Sequence, residues 1–353
     1  MQSNANKNII YSIILLLLVA VVYLYRQNQQ EPNAQKNTAI TSRITVSGNT
    51  MGTTYKVVYL DEEKRDFKKE IDSVLVVFNQ SLSTYIPDSE LSRFNQGDSL
   101  VFDLPYFLPV LKASKSIYDK TEGSFDPTVG PLVNLWGFGP GGPQLKDSVN
   151  IASMLNLVDF NAITYDSVQV RKNKPGIYLD FSAVAKGYGV DVIGQLLLDK
   201  GIDNFLVEIG GELVARGVNE KGELWKVGIN RPDETGRADE LYSIIALDNR
   251  GMATSGNYRN YYEADGMKIS HTINPATGRP VSHSLLSATV FANDCMTADA
   301  LATAFMVMGK DRAIALQEKE RDFEIFLIFS DSVGTLKSYA SEGIKPYLAF
   351  VQD

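Results

Sequence analysis

Apolar residues along this chain recur with two periods, and the changes from one to the other predict most of its elements. Tyr55, Val57 and Tyr59 alternate against Thr54, Lys56 and Val58, a period of two that predicts a strand over 54–60. From 61 to 81 the spacing becomes helical, with Phe67, Ile71, Val74, Leu75 and Phe78 on one side. A shorter helix is expected over 108–118, where Pro109 is tolerated because it falls in the first turn. A short strand at 177–180 is expected to run into a helix over 181–198, with Val184, Val190, Ile193 and Leu197 on one stripe and Gly201 beyond its end. Short strands are expected at 204–208, 212–216, 224–229, 242–246 and 287–291, separated by Gly, Asn, Pro and Asp turns. A last helix carries Asp299 and Thr303, turns Leu301, Phe305 and Met308 inward and closes at Gly309. Strands outnumber helices and cluster, which predicts an α+β fold with largely antiparallel sheets flanked by helices.

The N-terminus follows neither period. Ile9 to Tyr25 is a continuous apolar run between Lys7 and Arg26, spanning ~25 Å as a helix, at the short end for a bilayer. Bulky Tyr23, Leu24 and Tyr25 stand where a signal-peptide cleavage site needs small residues, so an uncleaved N-terminal membrane anchor is expected, with the rest of the chain exported to the periplasm. The polar, Asn- and Gln-rich stretch that follows reads as a tether. The expected organisation is an anchor or signal over 1–27, a tether over 28–41 and a folded domain over 42–353.

Composition narrows the chemistry. A net charge of −8 argues against a nucleic-acid partner, although a local basic pocket is compatible with it. One cysteine, Cys295, permits no internal disulfide, and with only His271 and His283 beside it a Cys/His zinc site is not expected. Oxygen ligands remain. Asp299 and Thr303, four residues apart on a helix, present both oxygens on one face, which suits magnesium. The same residues also fit a helix-dipole acid and a hydroxyl bonded back to its own helix.

Other candidates carry similar alternatives. The run 123–139 has too many glycines and prolines for an ordinary helix, yet holds Phe125, Trp136 and Phe138; it is either a packed loop or a flat surface for a ligand. Asp180-Phe-Ser-Ala-Val-Ala-Lys186 lies where a strand passes into a helix, so Asp180 or Ser182 is a helix cap, or the amides and Lys186 hold an anion. Gly210-Gly211 between two strands reads as a bulge, or as backbone open to a phosphate.

Taken in order, the motifs resemble the ApbE family of FAD:protein FMN transferases. They are Met51-Gly-Thr-Thr-Tyr55, Leu82-Ser-Thr-Tyr85, Ser89-Glu-Leu-Ser-Arg-Phe-Asn95, the run 123–139, Asp180-Phe-Ser-Ala-Val-Ala-Lys-Gly-Tyr188, Glu208-Ile-Gly-Gly-Glu212, His271-Thr-Ile-Asn-Pro-Ala-Thr-Gly278 and Thr297-Ala-Asp-Ala-Leu-Ala-Thr303. The resemblance covers essentially the whole chain after the tether and implies a T-fold-like α+β domain. It also implies a Mg²⁺-dependent enzyme that cleaves FAD at its diphosphate, moves FMN onto a threonine of an acceptor protein and releases AMP. By motif position, the metal ligands would be the Asp299 and Thr303 side chains and the Ala183 carbonyl. FAD contacts would come from Met51, Tyr85, Ser124, Phe125, Asp126, Asp180, Lys186 and Ile273, and His271 would be the base, whose ordinary pKa near ~6.5 suits the task. His283 has no motif counterpart and reads as structural. The resemblance further implies a membrane-associated redox protein as acceptor; FAD hydrolysis and FAD binding without turnover are the competing activities. The one cysteine, Cys295, lies deep in the domain rather than just after the apolar run, so lipid attachment is not expected.

Overall fold

Eight strands in chain order build the main sheet: β1 Ser42–Thr50, β2 Thr53–Asp61, β3 Phe205–Ile209, β4 Glu212–Arg216, β5 Arg250–Gly256, β6 Leu285–Ala292, β7 Glu324–Ser330 and β8 Leu336–Ala340. Each pairs antiparallel with the next, so sheet order follows chain order and everything else is inserted between neighbouring strands. This computed structural model describes residues 42–139, 151–232, 240–257, 261–264 and 267–350. The helices among them are α1 Lys68–Leu82, α2 Glu90–Gln96, α3 Phe107–Lys120, α4 Gly130–Leu135, α5 Ile151–Leu155, α6 Ala185–Asp199, α7 Cys295–Met308 and α8 Lys310–Glu320. None of them is long and apolar enough to cross a membrane. The expected anchor and tether lie outside the described residues.

Period-two alternation loads both faces of the sheet. Val57, Tyr59, Val207 and Ile209 meet Ile71 and Leu75 of α1 and Val190, Ile193 and Leu197 of α6. On the other face Val58, Leu213, Ala215, Met252 and Phe291 meet Trp225, Ile229 and Ile245 of a three-stranded sheet built from Trp225–Asn230, Leu241–Leu247 and Leu348–Phe350. Helix α7 packs Ala298, Leu301 and Phe305 into the core cluster that holds Ala253 of β5 and Val290 of β6. Largely antiparallel α+β architecture is what the clustered strands predict.

Three expected boundaries move, each for a local reason. The first helix begins at Lys68 rather than 61, because Asp61 ends β2 and its carboxylate accepts the Arg65 amide at 2.8 Å and the Arg65 guanidinium at 2.8 and 2.9 Å, fixing a turn. No strand forms at 177–180: the Asn95 side chain bonds both the N–H and C=O of Leu179 at 2.8 Å, and the Asp180 amide donates to Pro127 O at 2.7 Å, so side chain and loop satisfy that backbone. The helix expected from 181 starts at Ala185, after a turn in which Val184 and Ala185 amides both return to Phe181 O. Gly210-Gly211 is a two-residue hairpin turn between paired Ile209 and Glu212, not a bulge, with φ values of 63° and 108° that suit glycine.

Candidate functional site

A cavity of about 1210 Å³ opens at the end of the main sheet where the insertions converge. Its walls are the Gly210-Gly211 turn, the end of β5, the start of α6, the second turn of α7 and the segments around Ser124 and His271. Of the sequence-predicted residues, Ser124, Phe125, Asp126, Asp180, Ala183, Lys186, His271, Ile273, Asp299 and Thr303 all line it. Met51 and Tyr85 do not. Met51 occupies the β1–β2 turn at φ 50° and lays its methyl against Gly189 of α6; Tyr85, between α1 and α2, is 71% exposed.

The crossing of α6 and α7 makes the oxygen cluster. A β-carbon on Gly187 would sit 2.3 Å from the Cys295 carbonyl oxygen and 2.7 Å from the Asp299 β-carbon, so only glycine permits this approach. The close approach also satisfies a first-turn amide of α6 that has no acceptor within its own helix: Gly187 N–H donates to Asp299 Oδ2 at 2.9 Å. Ala183, just ahead of the Val184 N-cap, lines the cavity, and its carbonyl accepts no hydrogen bond among the described residues. Thr303, one turn beyond Asp299, also faces the cavity, and no bond back to its own helix forms. Among the described residues no cluster of three or more His, Cys, Asp or Glu occurs. One carboxylate, a hydroxyl and an unsatisfied carbonyl are nonetheless hard oxygen donors, and they fit a magnesium ion that takes its remaining ligands from water and phosphate.

Asp299 is not a first-turn acid. The N-cap of α7 is Asp294, bonding the Thr297 amide at 2.7 Å, and Asp191 of α6 accepts the Cys295 and Met296 amides at 2.8 Å each. Burial outweighs those two bonds and pushes the Asp191 carboxyl up to about 7.

Charge is concentrated beside this cluster. Lys186, in the first turn of α6, places Nζ 2.7 Å from Oε1 of Glu212, just after the glycine turn. Burial works against the ammonium, but Asp299 and Glu212 outweigh it and hold Lys186 protonated beyond its ordinary range. Burial likewise drives Glu212 up to about 7 against the opposing pull of Lys186, and raises the Asp299 carboxyl. Glu212 Oε2 is buried with no hydrogen-bond partner. In the sequence Glu212 stands only within the Glu208–Glu212 motif and Asp191 only within a helix, because each meets its partner from another element.

On the far wall, Asp126 Oδ1 accepts the Thr128 amide at 2.7 Å and its hydroxyl at 2.6 Å, and burial raises its carboxyl. Asp180 is not a helix cap: its Oδ1 takes the Ser182 amide at 2.8 Å, while Val184 stands at the helix N-cap. Burial raises the Asp180 carboxyl too. Phe138 meets the His271 ring edge-on at 6.2 Å. The run 123–139 forms a turn of 3₁₀-helix, Pro127–Val129, and the six-residue α4, and it borders the cavity through Ser124 to Pro127, Val129, Val133 and Phe138. His283 bonds Met306 O at 2.7 Å, the structural role expected of it.

Known proteins resemble this chain over most of its length. An FAD:protein FMN transferase of Vibrio cholerae is 40% identical over 320 residues, covering 87% of this chain and 93% of that protein. One from Escherichia coli K12 is 34% identical over 349 residues, covering 95% and 97%. The solved flavin transferase ApbE of V. cholerae superposes with a TM-score of 0.78 at 39% identity, covering 87% of this chain and 99% of that one. The apo flavinyl transferase ApbE of Pseudomonas stutzeri gives 0.77 at 32% identity, covering 87% and 97%. Residues 51–327 match the model of the ApbE family, and the chain belongs to that family.

Proposed function

We propose that this protein is a Mg²⁺-dependent FAD:protein FMN transferase that attaches FMN through a phosphoester to a threonine of an acceptor protein and releases AMP. The observation that carries the proposal is the gathering, in one cavity, of the oxygen cluster of Ala183, Asp299 and Thr303, the cation of Lys186 and the imidazole of His271. Phosphoryl transfer needs charge neutralised on the diphosphate and a positioned nucleophile, and little else from the protein. A bound magnesium ion would supply the Lewis acidity that spreads charge off the phosphate oxygens.

The remaining work falls to side chains. Lys186 meets the diphosphate charge, and Ser124 to Asp126, Asp180 and Ile273 line the space for the rest of FAD. His271 takes the proton of the threonine hydroxyl as Oγ bonds to the FMN phosphorus and the bond from that phosphorus to the bridging oxygen breaks; AMP departs with the bridge oxygen. Hydrolysis of FAD to FMN and AMP, with water in place of the threonine hydroxyl, is the competing outcome. We place the enzyme at the cytoplasmic membrane by the apolar run 9–25, with its catalytic domain periplasmic and a membrane-associated redox protein as acceptor.

The test is incubation with FAD, Mg²⁺ and a threonine-bearing acceptor segment, followed by mass spectrometry. A covalent FMN adduct on threonine is expected. Free FMN and AMP with unmodified acceptor would establish hydrolysis instead, and FAD retained without products would leave a binding protein.

A further inference from the structure

The Lys186 ammonium is coupled electrostatically to two buried carboxylates, Asp299 and Glu212, yet it bonds only one of them. Its ion pair is with Glu212 Oε1 at 2.7 Å; no Lys186–Asp299 pair lies within 4 Å. Asp299 instead spends Oδ2 on the Gly187 amide. An ammonium on a flexible stem takes whichever carboxylate is offered with the better geometry. Glu212 is held for that purpose. It is 4% exposed, it follows the Gly210-Gly211 turn directly, and its backbone pairs with Ile209 in the hairpin. Its other oxygen, Oε2, is buried without a partner, a cost that packing alone does not explain.

We propose that Glu212 is a positioning residue that draws the Lys186 ammonium away from Asp299, leaving the Asp299 carboxylate available to a divalent cation and the ammonium available to phosphate. Removing the Glu212 charge lets Lys186 swing onto Asp299 and neutralise the ligand. The inference rests on the proposed metal role of Asp299.

Mn²⁺ is the probe, with free ion followed by electron paramagnetic resonance during titration of the full-length protein in saturating FAD without acceptor. Glu212→Gln should weaken Mn²⁺ binding at least tenfold at an unchanged melting temperature. The double variant Glu212→Gln/Lys186→Met should recover most of that loss, because no ammonium remains to compete, although FAD binding followed by flavin fluorescence weakens. A structural role for Glu212 predicts the opposite: loss of Mn²⁺ binding with lowered melting temperature and no recovery in the double variant. Wild-type affinity in Glu212→Gln overturns the proposal while leaving the metal reading intact. If Asp299→Ala binds Mn²⁺ as tightly as wild type, the metal reading falls and this inference with it.

Discussion

A single hydrogen atom at position 187 decides the geometry of the oxygen cluster. Because Gly187 lacks a β-carbon, α6 and α7 approach closely enough for its amide to reach Asp299. The placement of the Asp299 carboxylate against α6 therefore depends on one absent methyl. Gly187→Ala puts the new carbon against the Cys295 backbone carbonyl, which cannot rotate aside as a flexible side chain would. Overpacking of this kind costs ~1–3 kcal/mol. Urea denaturation should show a loss of that order, with an increased Mg²⁺ requirement in the transferase assay. A variant that matches wild type in both would show that the close approach is not needed to build the cluster.

At the scale of elements, the helix α7 is anchored at its N-terminus by acids from two directions, Asp294 ahead of it and Asp191 from α6. The folded-state carboxyl of Asp191, at about 7, lies above its unfolded value near ~3.9, so the folded protein holds that proton more tightly than the unfolded chain. Its contribution to stability is complete below the unfolded value and is lost as pH rises through about 7. Glu212 titrates in the same window, so the difference between two proteins is the readout rather than the wild-type curve. Asp191→Asn should be less stable in mild acid, having lost one amide acceptor, and its melting temperature should fall less than that of wild type between about pH 5 and pH 7.5. Parallel slopes would show that Asp191 does not titrate there.

Most of these elements were legible from periodicity, because strands and helices that bury one face must repeat with period 2 or 3.6. The stretch 177–180 was not: Ile177 and Leu179 alternate like a strand and are buried like one, but the Leu179 backbone is satisfied by the Asn95 side chain, a partner far off in sequence. Within the site, Asp299 and Thr303 were legible because helix spacing fixes which side chains share a face. Glu212 and Asp191 were not, since each acquires its role from a partner on another element, and no local spacing encodes that.

The whole molecule sets a charged pocket inside an acidic chain and, on our proposal, ties it to a membrane. With a net charge of −8, the protein has no general attraction for a dinucleotide, so on the same proposal affinity for FAD comes from the local cation Lys186 and a metal ion held by the cavity oxygens rather than from long-range steering. The run 9–25 then adds confinement rather than chemistry. Strand β1 begins at Ser42, and its register with β2 is complete from Ser42 opposite Asp61 to Thr50 opposite Thr53, so deleting residues 1–41 leaves every described strand of the main sheet in place. The truncated protein, 42–353, should therefore label a soluble threonine-bearing segment at a rate within about twofold of the full chain. Its labelling of a membrane-embedded acceptor should drop by at least tenfold, since confinement to the same surface raises effective concentration without any new contact. Fractionation should move it from membrane to soluble material. Equal labelling of the membrane-embedded acceptor by both proteins, or a full-length protein found in the soluble fraction, would overturn the anchoring role.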